Sequence, residues 1–235
     1  MSMNSNDFLL DLDKIIEKKH LLNHKFYKAW SQGKLSIDCL KEYANNYYHH
    51  VQAFPRYISQ LHTNTECPMT RKELLQNLSD EEAGSPNHPD LWKNFALSLD
   101  VTNEEIQNHT PNSEISHLIE TFKSICKNGS TAEGIASLYA YESQIPAICV
   151  SKIEGLKKHY SMNDPQSFQY FTVHIKADEK HAYDERKLLE KYVTNENQEN
   201  IKSSVNNVLD ALWDFLSGLV TKYKIECDCE MALAG

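Results

Sequence analysis

The chain has 235 residues, 33 acidic against 24 basic, for a net charge of −9. That length can bury a substantial core without cross-links, and without a concentrated Lys/Arg cluster nucleic acid is not an expected partner. Only 7 glycines and few alternating β-branched runs favour helices, and no apolar run reaches the ~18 residues of a membrane span. The six cysteines show no framework spacing, and the polar start Met1–Asp7 is followed by only Phe8, Leu9 and Leu10. Both features predict a cytoplasmic protein with reduced thiols.

Amphipathic spacing is helical along almost the whole chain. Residues 7–32 are predicted to form one or two helices, ended by Gly33. Ser36 is placed as the N-cap of a long helix to about residue 63, with Leu35 and Leu40 as its hydrophobic staple and Pro55 as a kink. A helix over 69–82 follows, then a break at Gly84, Pro86 and Pro89, then a short helix over 89–99. Residues 100–112 read as a connector with a short helix, and 112–127 as another helix. Ser130 and Glu133 form a capping box that opens a helix to about residue 160, with Pro146 inside it. Asp164-Pro165 starts a helix to about 193, and a last helix covers 196–223. The prediction is all-α: one bundle of seven to nine helices over residues 1–224, with a flexible tail over 225–235. Cys227 and Cys229 in that tail read as free thiols. Of His49 and His50, at least one faces away from the core.

Three segments break the rule that helix faces pointing inward are apolar. Phe171, Ile175, Ala182 and Leu188 mark the buried side of one helix, yet His174, Asp178 and His181 share it. At ~100° per residue these three fall within an arc of roughly 60°. Burying such groups unpaired costs several kcal/mol, and a metal is the economical partner. On the segment 130–160, Glu142 and Lys152 interrupt the stripe formed by Ile135, Leu138, Ile145, Cys149 and Leu156. On 69–88, Leu74 and Leu78 point inward and either Glu81 or Glu82 extends their line, with His88 seven residues after Glu81. Taken with Glu81, the set is Glu81, His88, Glu142, His174, Asp178 and His181: three carboxylates and three imidazoles. Oxygen and imidazole donors suit iron or manganese better than structural zinc. Each residue alone also has a plainer reading as a hydrogen-bonded core group. For Lys152 that reading is a snorkelling side chain.

The runs Asn77 to His88, Tyr139 to Pro146 and His174-x3-Asp178-x2-His181 resemble a chlamydial family named for association with death domains. So do Asp11-Leu12-Asp13-x-Ile15-Ile16, His24-x-Phe26-Tyr27-x-x-Trp30 and Ala53-Phe54-Pro55-x-Tyr57. That family belongs to the haem-oxygenase-like di-metal oxidases, related in fold to pyrroloquinoline-quinone synthase and TenA. The likeness runs from about Phe8 to about Leu219.

The resemblance implies a haem-oxygenase-like bundle and a dinuclear Fe/Fe or Fe/Mn site. It selects Glu81 over Glu82, supports the other five ligands and implies no haem. It further implies formation of p-aminobenzoate for folate synthesis, with O2 and an external reductant as co-substrates. The chain itself would be consumed: Tyr27 would supply the ring and Lys152 the amino nitrogen. Tyr43, Tyr47, Tyr48, Tyr141 and Tyr170 could each relay electrons or protons, or merely pack, with Tyr141, beside Glu142, the foremost of them. A homodimer and a death-domain protein partner follow from the same analogy. Two other readings stand beside this one: a di-metal oxidase acting on a free small substrate, and an interaction protein that binds through its acidic helical surface.

Overall fold

The computed structural model describes residues 5–228. These residues form eleven α-helices and two short 3₁₀ turns, with no strand among them. In chain order the helices are α1 (Ser5–Lys18), α2 (Lys25–Ser31), α3 (Ile37–Asn64), α4 (Pro68–Glu82), α5 (His88–Ser98) and α6 (Asn103–Asn108). Then come α7 (Ser113–Asn128), α8 (Thr131–Glu142), α9 (Ile145–His159), α10 (Gln169–Tyr192) and α11 (Gln198–Tyr223). The all-α class matches the sequence reading, but the count exceeds seven to nine because predicted segments are divided.

The division that matters most is at Pro146. Its ring lacks an N–H and would collide with the carbonyl four residues earlier, that of Glu142. The segment read as one helix over 130–160 therefore stops at Glu142 and restarts at Ile145, with Pro146 in the new first turn. Near the start, a 3₁₀ turn at Leu21–Asn23 separates α1 from α2, and His24 caps α2 by accepting from the Phe26 N–H at 3.1 Å. Asp164 caps a 3₁₀ turn at Pro165–Phe168, so α10 itself starts at Gln169. Ser36 caps α3, and Ser130 with Glu133 forms the capping box of α8, as the spacing predicts. Pro55 lies inside α3, which continues through it.

Helix α3 packs on α7, α4 and α5; α10 packs on α8 and α9; α11 packs on α8 and α7. The apolar spine is clearest on α11, where Val205, Val208, Leu209, Leu212, Phe215, Leu216 and Leu219 are all buried. Each such side chain contributes about 1.5–3 kcal/mol through burial. Where α2 meets α9, Gly155 permits close approach: a Cβ there would meet the Trp30 indole at 2.6 Å. Trp30 Nε1–H donates to the Lys152 carbonyl at 3.2 Å, which fixes the middle of α9.

Part of the tail expected to be flexible is docked. Ile225 is buried, and Asp228 pairs with Lys34. Cys227 is a half-buried free thiol, and Cys229 lies outside the described residues. His50 is fully buried, whereas His49 is half-buried and meets His109 at 3.1 Å. Among the described residues no helix is long and apolar enough to cross a membrane.

Candidate metal centre

Four helix segments converge at mid-bundle. The last turn of α4 supplies Glu81, the first residue of α5 is His88, the last residue of α8 is Glu142, and the core face of α10 supplies His174, Asp178 and His181. All six are buried, between 1% and 5% exposed. They form two clusters: Glu81 with His88 and His174, and Glu142 with Asp178 and His181. Within each cluster one ligand-type atom per residue lies within 4.8 Å of the others. Glu82 is exposed, so the choice that spacing left open falls on Glu81. The break expected near Gly84 is real, and residues 83–87 turn the chain so that His88 Nδ1 comes 2.9 Å from Glu81 Oε2.

The first cluster is rich in nitrogen. The His88 and His174 rings lie 4.2 Å apart by centroid. His174 Nδ1–H donates to the Tyr170 carbonyl at 2.7 Å, which leaves the Nε2 lone pair facing Glu81 Oε1 at 4.0 Å. Burial, with the nearby His88 ring, holds His174 well below the usual imidazole value, so it is neutral and able to donate that lone pair. His88 Nδ1, despite its closeness to Glu81, has no aligned hydrogen bond.

The second cluster is rich in oxygen. Asn77 Nδ2 donates to both Glu142 oxygens at 3.1 and 3.3 Å, and His181 Nδ1 lies 3.1 Å from Glu142 Oε1. His181 Nε2 is fixed by Asp80 Oδ2 at 3.1 Å. Burial opposes charge on His181, but the Asp178 carboxylate 3.5 Å from Nδ1 and hydrogen bonds with Glu142 and Asp80 outweigh it and raise the ring to about 11. A proton on this ring and a divalent cation beside it compete for the same lone pair. Burial, reinforced by Glu142 and Glu81, pushes Asp178 well above the carboxylate range. Neither Asp178 oxygen has an aligned hydrogen-bond donor.

A small cavity of about 10 Å³ touches both clusters, lined by Val51, Phe54, Glu81, Tyr141, Glu142, Tyr170, His174 and Asp178. Tyr141 is part of its wall, and its hydroxyl bonds to that of Tyr47 at 2.6 Å. The larger surface grooves, such as the one lined by His117, Glu120 and Asp210, adjoin neither cluster.

Next to this region is an aromatic chamber. Lys152 is 3% exposed, and its Nζ lies 5.0–5.9 Å from the ring centroids of Tyr27, Trp30, Tyr43, Tyr47, Trp92 and Phe171. The snorkelling alternative is therefore wrong. Lys152 Nζ bonds to Tyr43 Oη at 2.7 Å, and Tyr43 Oη bonds to Tyr27 Oη at 3.1 Å. Burial lowers Lys152 to about 8 and raises Tyr27, so the amine is poised near neutrality while the phenol keeps its proton.

Sequence reasoning missed two participants, Glu185 and Asn77. Glu185 continues the inward line of α10, four residues after His181, and is buried against Glu142. Its spacing was the available signal. Asn77, which bridges groups from separate helices, gave none, whereas Tyr43, one of the tyrosines that could relay protons, bridges Lys152 and Tyr27.

The residues present fit two divalent cations. Each cluster joins carboxylate to imidazole, donors that hold iron or manganese. The three cluster carboxylates nearly match four positive charges, and Asp178 has acceptor oxygens without donors. Comparison with known proteins points to iron as the metal of the family. A profile of a family described as iron-containing redox enzymes matches residues 41–213. The 4-aminobenzoate synthase of Chlamydia pneumoniae is 44% identical over 93% of this chain and 97% of its own length. That of Nitrosomonas europaea is 40% identical over 97% of both. A solved TenA homologue from Pseudomonas syringae superposes with a TM-score of 0.80 at 19% identity, covering 93% of this chain and 96% of the other. A CADD-like protein from Nostoc punctiforme gives 0.76 at 15% identity, covering 93% and 98%. These structures share the haem-oxygenase-like bundle. The chain belongs to the iron-containing redox enzymes of this fold, in the group of the 4-aminobenzoate synthases.

Proposed function

We propose that this enzyme forms p-aminobenzoate from its own Tyr27, with Lys152 as the amino donor, at a dinuclear Fe/Fe or Fe/Mn centre held by Glu81, His88, Glu142, His174, Asp178 and His181. The observation that carries the reading is the Lys152–Tyr43–Tyr27 chain of hydrogen bonds, buried beside the two ligand clusters. Bound metals supply the activation of O2, with electrons from an external reductant.

The protein's own groups set up the rest. The ring to be released already carries carbon and oxygen para to each other, so the chemistry must cut the tyrosine side chain free and exchange oxygen for nitrogen. A lysine lowered to about 8 presents a substantial fraction of neutral amine, the nucleophilic form. Six rings around it exclude water that would compete for the electrophilic carbon. The Tyr43 hydroxyl touches both reacting side chains and can hold the proton that Lys152 or Tyr27 gives up. Tyr141 and Tyr47 extend hydrogen bonding from the cavity wall towards this chamber, and Tyr47 stacks on Tyr43 with centroids 5.3 Å apart.

Isotope labelling tests the reading. Protein grown with ring-¹³C tyrosine and ¹⁵N-lysine, then given Fe²⁺, Mn²⁺, O2 and reductant, yields product carrying both labels. The peptide containing Tyr27 loses the corresponding mass, at most once per chain. Product without label, made repeatedly by an intact chain, would establish a free substrate instead.

A further inference from the structure

A second cavity lies on the outer side of the oxygen-rich cluster. It is small, about 10 Å³, with room for about one water or ion, and is bounded by Glu73, Asn77, Lys180, His181, Asp184 and Glu185, with Leu74 and Leu188 closing it. Its inner wall is buried: Glu185 and His181 are each 3% exposed. Its rim reaches solvent, with the Asp184 side chain 27% exposed and Lys180 56%. Lys180 is tied to Asp184 at 2.6 Å, which offsets the positive charge in the wall.

Glu185 is the unexplained member. It lines this cavity, neither of its oxygens has an aligned donor, and on the inner side it faces Glu142, to which it can give a hydrogen bond only while it keeps its proton. An acceptor pair buried in this way costs several kcal/mol unless something binds it. The position carries a stability cost that leucine, as at Leu188 and Leu189 in the next turn, would avoid. Carboxylates thus descend in steps from Glu73 and Asp184 at the rim, through Glu185, to Glu142. Glu185 does not join Glu142, Asp178 and His181 in the close cluster of ligand atoms.

We propose that Glu185 is a transfer ligand on a loading route that carries divalent cations from the Glu73–Asp184 rim to Glu142 and His181. The proposal rests on the metal-centre reading above. A carboxylate that binds a cation in passing lowers the barrier to its dehydration in an otherwise closed bundle. Acidic walls also raise the local cation concentration at the mouth.

The test is cobalt uptake by the full chain after chelator treatment, followed anaerobically by the visible absorption of Co²⁺, with final stoichiometry from metal analysis. Wild type binds two ions. Glu185→Gln and Glu185→Leu also bind two, but load about tenfold more slowly, while Lys180→Met loads faster than wild type. The leucine variant removes an unpartnered carboxylate, so its melting temperature is at least that of wild type. Uptake by both Glu185 variants at the wild-type rate would overturn the route. A fall to one bound ion would also overturn it, by making Glu185 a resident ligand. Failure of the wild type itself to bind cobalt would instead overturn the metal-centre reading.

Discussion

Around Lys152 the bundle packs six aromatic rings, one of which, Tyr43, bonds its amine through the hydroxyl, and among the described residues no acid pairs with it. Around Asp178 it packs carboxylates and imidazoles. Both regions take ionisable groups out of water, at a cost of several kcal/mol each. In the chamber, burial weakens the charge itself and leaves an amine that titrates at about 8. In the clusters, both Asp178 oxygens are without donors, and added positive charge satisfies them. The first arrangement makes a nucleophile; the second makes a pair of cation sites.

Variants that touch one region and spare the other separate these roles most sharply. Tyr27→Phe and Lys152→Met should each lower product at least about 100-fold, or ~2.7 kcal/mol, while both ions still bind. Asp178→Asn should lose product and also bind fewer ions, as read by metal analysis. If Lys152→Met lost its metals too, the two regions would not be independent.

Metal addition gives the next effect. At about 100 times its dissociation constant, each ion stabilises the fold by ~2.7 kcal/mol, or about 5 kcal/mol for two. Anaerobic urea unfolding with and without Mn²⁺ measures this, and a chelator should reverse it. No change in the unfolding midpoint would contradict the cation sites.

The chamber predicts the opposite pattern, a penalty that depends on pH. Lys152 falls from 10.5 in the unfolded chain to about 8 in the folded one. The unfolded chain therefore holds the extra proton between these values, and stability rises with pH across that window. Below about 8 the penalty is full, about 3 kcal/mol. Lys152→Met should be more stable than wild type by up to that amount at pH 7, and the gap should close towards 10.5. A gap independent of pH would mean that packing, and not charge, sets it. Product formation by wild type should rise with pH through about 8.

The smallest effect concerns Asn77, which holds both Glu142 oxygens. Asn77→Ala should weaken metal at the oxygen-rich cluster about 10- to 100-fold and leave the Glu81 cluster unchanged, by calorimetric titration.

Much of this was legible in the sequence because helical spacing is a strong constraint. His174, Asp178 and His181 had to share a face, and Glu142 had to interrupt an apolar stripe. The same periodicity placed Lys152 inward but could not say that rings from α2, α3, α5 and α10 would surround it. Spacing could not choose between Glu81 and Glu82, since both extend an apolar line; packing against the bundle decided. The spacing predicts one helix running through Pro146, and the α8–α9 break departs from it because the ring's clash falls on the Glu142 carbonyl. Glu185 was readable by the same rule as His181 and was overlooked. The Tyr43 bridge needed three helices in place and had no local signature.

The most direct test of convergent cation sites is anomalous scattering at the iron and manganese edges from crystals of metal-loaded protein. Two peaks are predicted, one enclosed by Glu81, His88 and His174, the other by Glu142, Asp178 and His181. Peaks elsewhere, or none at either cluster, would contradict the account.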